Sequence, residues 1–227
     1  MLPMGKSSDQ ETLQALRNPR GVAIAGILFA VVFAISIILL RSALPKEPFA
    51  DVEWVRQEAG RMRVALFLIP FAGIFFLWFM GVVREYMGNL GDWFFSTLLI
   101  GSGVLFLAMI FVAVVVAGAI VDGVPEGGSQ SLGTETVGFG RSIMLEASGI
   151  YAVRMAAVFM FALGTVGMKT RLMPKWLWIL TYILAVLLLI FTNQNLWFTL
   201  IFPAWVLLVS IRMLVTGQVA PSDTAKS

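Results

Sequence analysis

Neither cysteine nor histidine occurs anywhere in these 227 residues. Without cysteine there is no disulfide, no thiolate nucleophile and no Cys-ligated metal. Without histidine the commonest general base, the commonest imidazole metal ligand and His-ligated haem are lost as well. Charge is scarce: Asp, Glu, Lys and Arg together make up 13% of the chain, against about 25% in soluble domains. In their place stands 59% hydrophobic residues, clustered into runs of about 20, the length that crosses a hydrocarbon core. A soluble globular domain cannot bury so many such runs. The expected fold is all-α: a polytopic membrane bundle of six transmembrane helices.

Residues 1–20 form a polar N-terminal segment, in which Ser8 and Glu11 fit a capping box before Leu13 and Leu16; a surface helix and a frayed tail both fit. The six-helix domain covers residues 21–215, and a polar tail follows over 216–227. Span one runs from Gly21 to Leu40, too long for the apolar region of a signal peptide. Its Gly26, Ala30 and Ala34 make a stripe of small residues for close helix packing. Residues 41–63 fit an interfacial helix, a solvated loop or an extension of span two, which itself runs from about Val64 to Val83 with Pro70 inside. Span three extends from about Trp93 to Ile120. Residues 122–140, with six glycines, are expected to be a flexible loop without hidden secondary structure. Span four covers Arg141 to Lys169, span five Trp176 to Thr192, and span six Leu196 to about Leu214 with Pro203 inside.

An even number of spans puts both termini on one face. With the N-terminus inside, the inner segments hold nine Lys and Arg and the outer ones six, with Arg154 in neither group. The N-terminal flank and the basic turn at 169–175 carry the bias, which predicts an N-in, C-in protein of the plasma membrane. Trp93, Trp176 and Trp197 fall near span ends, where indoles anchor at the interface. The excess of positive charge reports topology, so it supplies no argument for nucleic acid. Membrane lipids, or another membrane protein, are the expected partners.

Arg154 is the one charge deep inside a hydrophobic run. At the centre of a span a cation costs about 2.5–3.5 kcal/mol on insertion scales, which makes it a candidate functional residue. On a regular helix Glu146 lies about 80° around and about 12 Å along from it, with Tyr151 between them. Pro70 and Pro203 each free the carbonyl four residues earlier, at Leu66 and Thr199, at a depth near that of Arg154. A guanidinium has five donors for such acceptors. These residues predict an outward-facing polar pocket built from spans two, four and six, with Arg154 at its base and Glu146, Tyr151 and Thr199 around it. Three roles remain open for Arg154. It is a structural staple for proline-freed carbonyls, a receptor for an anionic group such as a lipid headgroup or carboxylate, or a side chain snorkelling at the lipid face.

Catalytic constellations are missing. No pair of acids lies at membrane depth, so neither a proton relay nor a carboxylate ion site is indicated. The intramembrane hydroxyls (Ser36, Ser96, Thr97, Ser102, Thr165, Thr181, Thr199 and Ser210) have no lysine within a turn at depth. The glycine-rich 123–140 segment lacks the GxxxxGK of a phosphate cradle. No metal and no cofactor is expected. The methionines Met144, Met155, Met160 and Met168 suit packing.

Several short stretches resemble uncharacterised six-span integral membrane proteins of bacteria, actinobacterial ones in particular. They are Arg17-Asn18-Pro19-Arg20-Gly21, Pro70-Phe71-Ala72-Gly73-Ile74, Trp78 to Arg84, Gly138-Phe139-Gly140-Arg141, Tyr151 to Ala157 and Leu172 to Leu177. The resemblance implies the six-span layout and no activity. The chain is therefore expected to be a non-enzymatic membrane protein, either an accessory subunit or a binder of a lipid-like ligand, with a small solute or lipid transporter as the alternative.

Overall fold

The computed structural model describes residues 19–47, 50–87, 93–125, 132–169, 174–191 and 196–216. The segment expected at 1–20 therefore lies outside the described residues up to 18, and the tail expected at 216–227 lies outside them from 217. Every regular element described is helical: α1 (Pro19–Ser42), α2 (Glu53–Met87), α3 (Trp93–Asp122), α4 (Thr134–Glu146), a π-helical turn (Ala147–Tyr151), α5 (Ala152–Lys169), α6 (Lys175–Ile190) and α7 (Leu196–Thr216). The π turn joins α4 to α5, so Thr134–Lys169 is one 36-residue rod. That rod and the helices around Ala23–Ser42, Glu53–Arg84, Trp93–Asp122 and Trp197–Val215 are each long and apolar enough to cross a membrane. The sixth apolar helix, α6, has only 16 residues, about 24 Å of rise.

Helix α1 packs between α2 and α7, α3 between α2 and α5, and α6 against α5 with a lighter contact to α7. Five of these helices send phenylalanines to one centre. Phe29 of α1, Phe76 of α2, Phe106 of α3, Phe159 of α5 and Phe202 of α7 are all buried. Their rings lie 4.7 Å (Phe29–Phe76), 5.3 Å (Phe76–Phe106), 5.3 Å (Phe76–Phe159) and 4.8 Å (Phe106–Phe202) apart between centroids, mostly tilted or edge-on as ring quadrupoles favour. The outside is apolar too, with Ile24, Ile35, Phe67, Val115 and Ile183 exposed. In water so much exposed hydrocarbon would aggregate; against lipid tails it is solvated.

Hydroxyls rivet the short helix α6 to its neighbours. Thr165 on α5 and Tyr182 on α6 share a 2.6 Å hydrogen bond. The indole of Trp205 on α7 donates to Thr181 at 2.8 Å, and Thr181 donates to the Leu177 carbonyl. At the same end of the bundle, the Lys169 ammonium sits 4.8 Å from the Phe95 ring centroid and the Arg212 guanidinium 5.8 Å from that of Trp176. Trp93, Trp176 and Trp197 are all exposed at helix ends.

A second, smaller core lies at the opposite end. Leu40 of α1 and Ala43 just after it, Val55, Met62 and Ala65 of α2, Ala117 and Ile120 of α3, and Val137, Met144 and Leu145 of α4 are buried together. Two expectations change here. Of the three readings of residues 41–63, the structure has the extension, since α2 starts at Glu53. The segment expected to be a structureless loop over 122–140 is helical from Thr134. Its glycines permit that: a Cβ at Gly140 would stand 3.2 Å from Ile120, so the missing side chain lets α4 approach α3. The face of Val137, Met144 and Leu145 stabilises the helix more than two glycines weaken it.

Candidate functional site

The polar groups near the second core gather around the π turn. Ala152 N–H bonds to the Ala147 carbonyl, five residues back, so one extra residue is inserted into the helix. Such insertions cluster at functional positions. Above the turn Met144 and Ser148 are buried; below it Ala152, Val153, Ala156, Ala157, Phe159 and Met160 are buried, while Tyr151 and Arg154 are exposed and Met155 is half-buried.

Ser148 is buried, and its hydroxyl donates to the Met144 carbonyl at 2.7 Å. Its oxygen accepts from Arg41 Nη2 at 3.3 Å. Thus the last cation of α1 reaches across to the π turn. The reverse reach is made by Arg141 of α4, whose Nη2 donates to the Pro45 carbonyl just after α1 at 2.9 Å. Arg141 Nε is buried and has no hydrogen-bond partner among the described residues.

Of the residues expected to form a pocket, Arg154 and Tyr151 are both exposed, on the outer side of the α5 rod, and Glu146 is half-buried one residue before the π turn. The regular-helix separation expected for Glu146 and Arg154 does not apply, because the π turn lies between them. Thr199 is buried on α7, its hydroxyl without a partner among the described residues. Pro70 and Pro203 both lie inside continuous helices, Pro70 exposed and Pro203 buried. Spans two, four and six do meet, but through Phe76, Phe159 and Phe202. The interior at their meeting point is filled with rings.

The depth of Arg154 follows from Arg41. Since Arg41 closes the apolar run of α1 and touches Ser148, that serine marks the level where the run ends. Arg154 is six residues further, about 9 Å along the axis. Side chains on a helix lean toward its N-terminus, which for Arg154 is the direction of Ser148. Along the rod Arg141, Tyr151 and Arg154 accompany the carboxylate of Glu146, and Arg41 reaches the same rod from α1 at Ser148.

Sequence reasoning took Arg41 only as a flanking charge and Arg141 as the start of span four, gave neither a place in the site, and passed over Ser148. A usable signal was present: Arg141 and Ser148 are seven residues apart, on one face of a helix. No group of three or more Asp, Glu, His or Cys fit to hold a metal occurs among the described residues. Compared with protein-family models, curated proteins and solved structures, the chain matches none.

Proposed function

We propose that this chain is a six-span protein of a bacterial plasma membrane, with both ends in the cytosol. On this reading it holds the anionic headgroup of a lipid-like ligand at its outward end and performs no catalysis on it. The observation that supports the reading is the exposure of Arg154 beside Tyr151, about 9 Å inside the level of Ser148. A guanidinium and a phenol on the outside of an apolar rod at that depth meet lipid at its headgroup boundary, where phosphate accepts their hydrogen bonds. A transport path is disfavoured by the ring-filled centre. On this reading Glu146 tempers the charge of Arg154 and Thr199 adds a buried hydroxyl on α7.

Substituting Arg154→Gln tests this. Charge-assisted hydrogen bonds contribute about 1.5–3 kcal/mol, so phosphatidylglycerol retained through purification in mild detergent should fall about tenfold or more, with folding intact. Equal retention by a normally folded Arg154→Gln protein would overturn the reading. Reduced abundance with unchanged retention would make Arg154 a staple.

Orientation is separately testable, because every introduced thiol is the only one in the chain. Lys46 and Lys175 are both exposed, at opposite ends of the bundle. A membrane-impermeant maleimide added to intact cells should label Lys46→Cys and spare Lys175→Cys. The opposite pattern would invert the topology.

A further inference from the structure

Arg212, near the end of α7, is turned across onto another helix. Its guanidinium lies 5.8 Å from the ring centroid of Trp176, the second residue of α6. Its Nε is buried without a hydrogen-bond partner, and it enters no ion pair among the described residues. A cation at a helix end ordinarily snorkels into water. This one is held against an indole with a covered donor left over, which costs free energy until an acceptor occupies the place. The helices that α7 chiefly packs against, α1, α5 and α6, contain no Asp or Glu to supply it. Between Glu146 and Asp223 the chain has no acid at all, against the five cations Arg154, Lys169, Arg171, Lys175 and Arg212.

Lys175 is exposed one residue before Trp176. The first turn of α6 has no side-chain cap, so the positive end of its dipole adds to the same field. From this charged end an apolar strip runs along α6: Trp176, Ile179 and Ile183 are exposed at helical spacing, on one face. Positive charge at the rim of such a strip matches a phosphate with an acyl chain beneath it.

We infer that Arg212, Trp176 and Lys175 form a site for the phosphate of an anionic phospholipid where α6 meets α7, with an acyl chain along α6. The site is at the end of the bundle away from Ser148, and it stands whether or not Arg154 binds lipid. A guanidinium and an ammonium converge on phosphate oxygens, whereas the choline of a zwitterionic lipid would meet two like charges with no acid beside them.

The test uses the full-length Arg154→Gln protein in mild detergent, so that Arg154 makes no contribution. Phosphatidylglycerol and phosphatidylcholine are titrated separately, and bound lipid is read by native mass spectrometry. Saturable phosphatidylglycerol binding is expected, with phosphatidylcholine several-fold weaker. Adding Arg212→Gln should weaken the first about tenfold, as loss of a charge-assisted hydrogen bond does. Adding Lys46→Gln, an exposed cation at the other end, should leave it unchanged. Lys175 and Trp176 are both exposed, so Lys175→Gln and Trp176→Leu test the site even if Arg212→Gln fails to fold; each should weaken binding several-fold. Equal binding of the two lipids would overturn the site. So would unchanged phosphatidylglycerol affinity in a folded Arg212→Gln protein, or in both Lys175→Gln and Trp176→Leu. Full competition by soluble glycerol phosphate, which has no acyl chain, would overturn the assignment to lipid.

Discussion

Replacing Phe76 by alanine should be the most damaging single change in the apolar interior. Phe76 is fully buried and its ring meets those of Phe29, Phe79, Phe106, Phe159 and Phe202. In lipid the unfolded helices are already in an apolar medium, so transfer from water contributes little and packing contributes most. That places the expected loss near the lower end of the range for phenylalanine truncation, about 3 kcal/mol, read as a shift in reversible unfolding by a denaturing detergent. Phe67, on the same helix but exposed, is the control: Phe67→Ala should change stability by less than about 0.5 kcal/mol. Equal effects of the two would mean that the central rings do not hold the bundle together.

The second large effect is expected from adding atoms. Gly26 of α1 is buried where α1 crosses α7 and α2, and a Cβ there would collide with the Ser210 hydroxyl and lie 2.9 Å from a Phe79 ring carbon. The Phe79 ring is held in the buried core, so making room requires the ring and the Ser210 side chain to shift or the helices to move apart. Gly26→Ala should cost about 1–3 kcal/mol, and Gly26→Val more, because its branches sit at the same crossing. Ser210→Ala in the same molecule should recover part of the Gly26→Ala loss, since it removes one of the two obstacles. Gly101, with nothing within 4 Å of its added Cβ, should respond with the opposite sign, since alanine exceeds glycine in helix propensity by about 1 kcal/mol. A neutral Gly26→Val would contradict the close approach of α1 and α7.

The sequence made the helices legible and the surroundings of the charges much less so. Long apolar runs bounded by Arg, Lys, Pro or Trp admit only helices in a hydrocarbon medium, so spans one, three, five and six match their helices within a few residues, whereas the helices of spans two and four begin well before the apolar runs, at Glu53 and Thr134. Gly26, Ala30 and Ala34 showed α1 as a close-packing helix, and Gly26 does meet α7 and α2. What single-residue periodicity misses is a change of period. The π turn at Ala147–Tyr151 shifts the register by one residue, and every inference about which residues share the side of Arg154 was built on an unbroken 100° step. The helix at 134–140 was hidden for another reason: Gly138 and Gly140 signal a loop locally, and only the packing of Val137 against α3 overrides them. The Arg41–Ser148 and Arg141–Pro45 contacts join positions about a hundred residues apart, which no local pattern encodes.

The central claim, a guanidinium at the headgroup level on the outside of α5, is tested most directly by solid-state NMR. Protein labelled at the arginine guanidinium carbon is reconstituted in phosphatidylglycerol-containing bilayers, and carbon–phosphorus dipolar dephasing is compared between wild type and Arg154→Gln. A dephased signal at hydrogen-bond range that disappears with the substitution is the expected result. Identical dephasing in the two proteins would contradict the claim, because Arg154 would then stand apart from lipid phosphate.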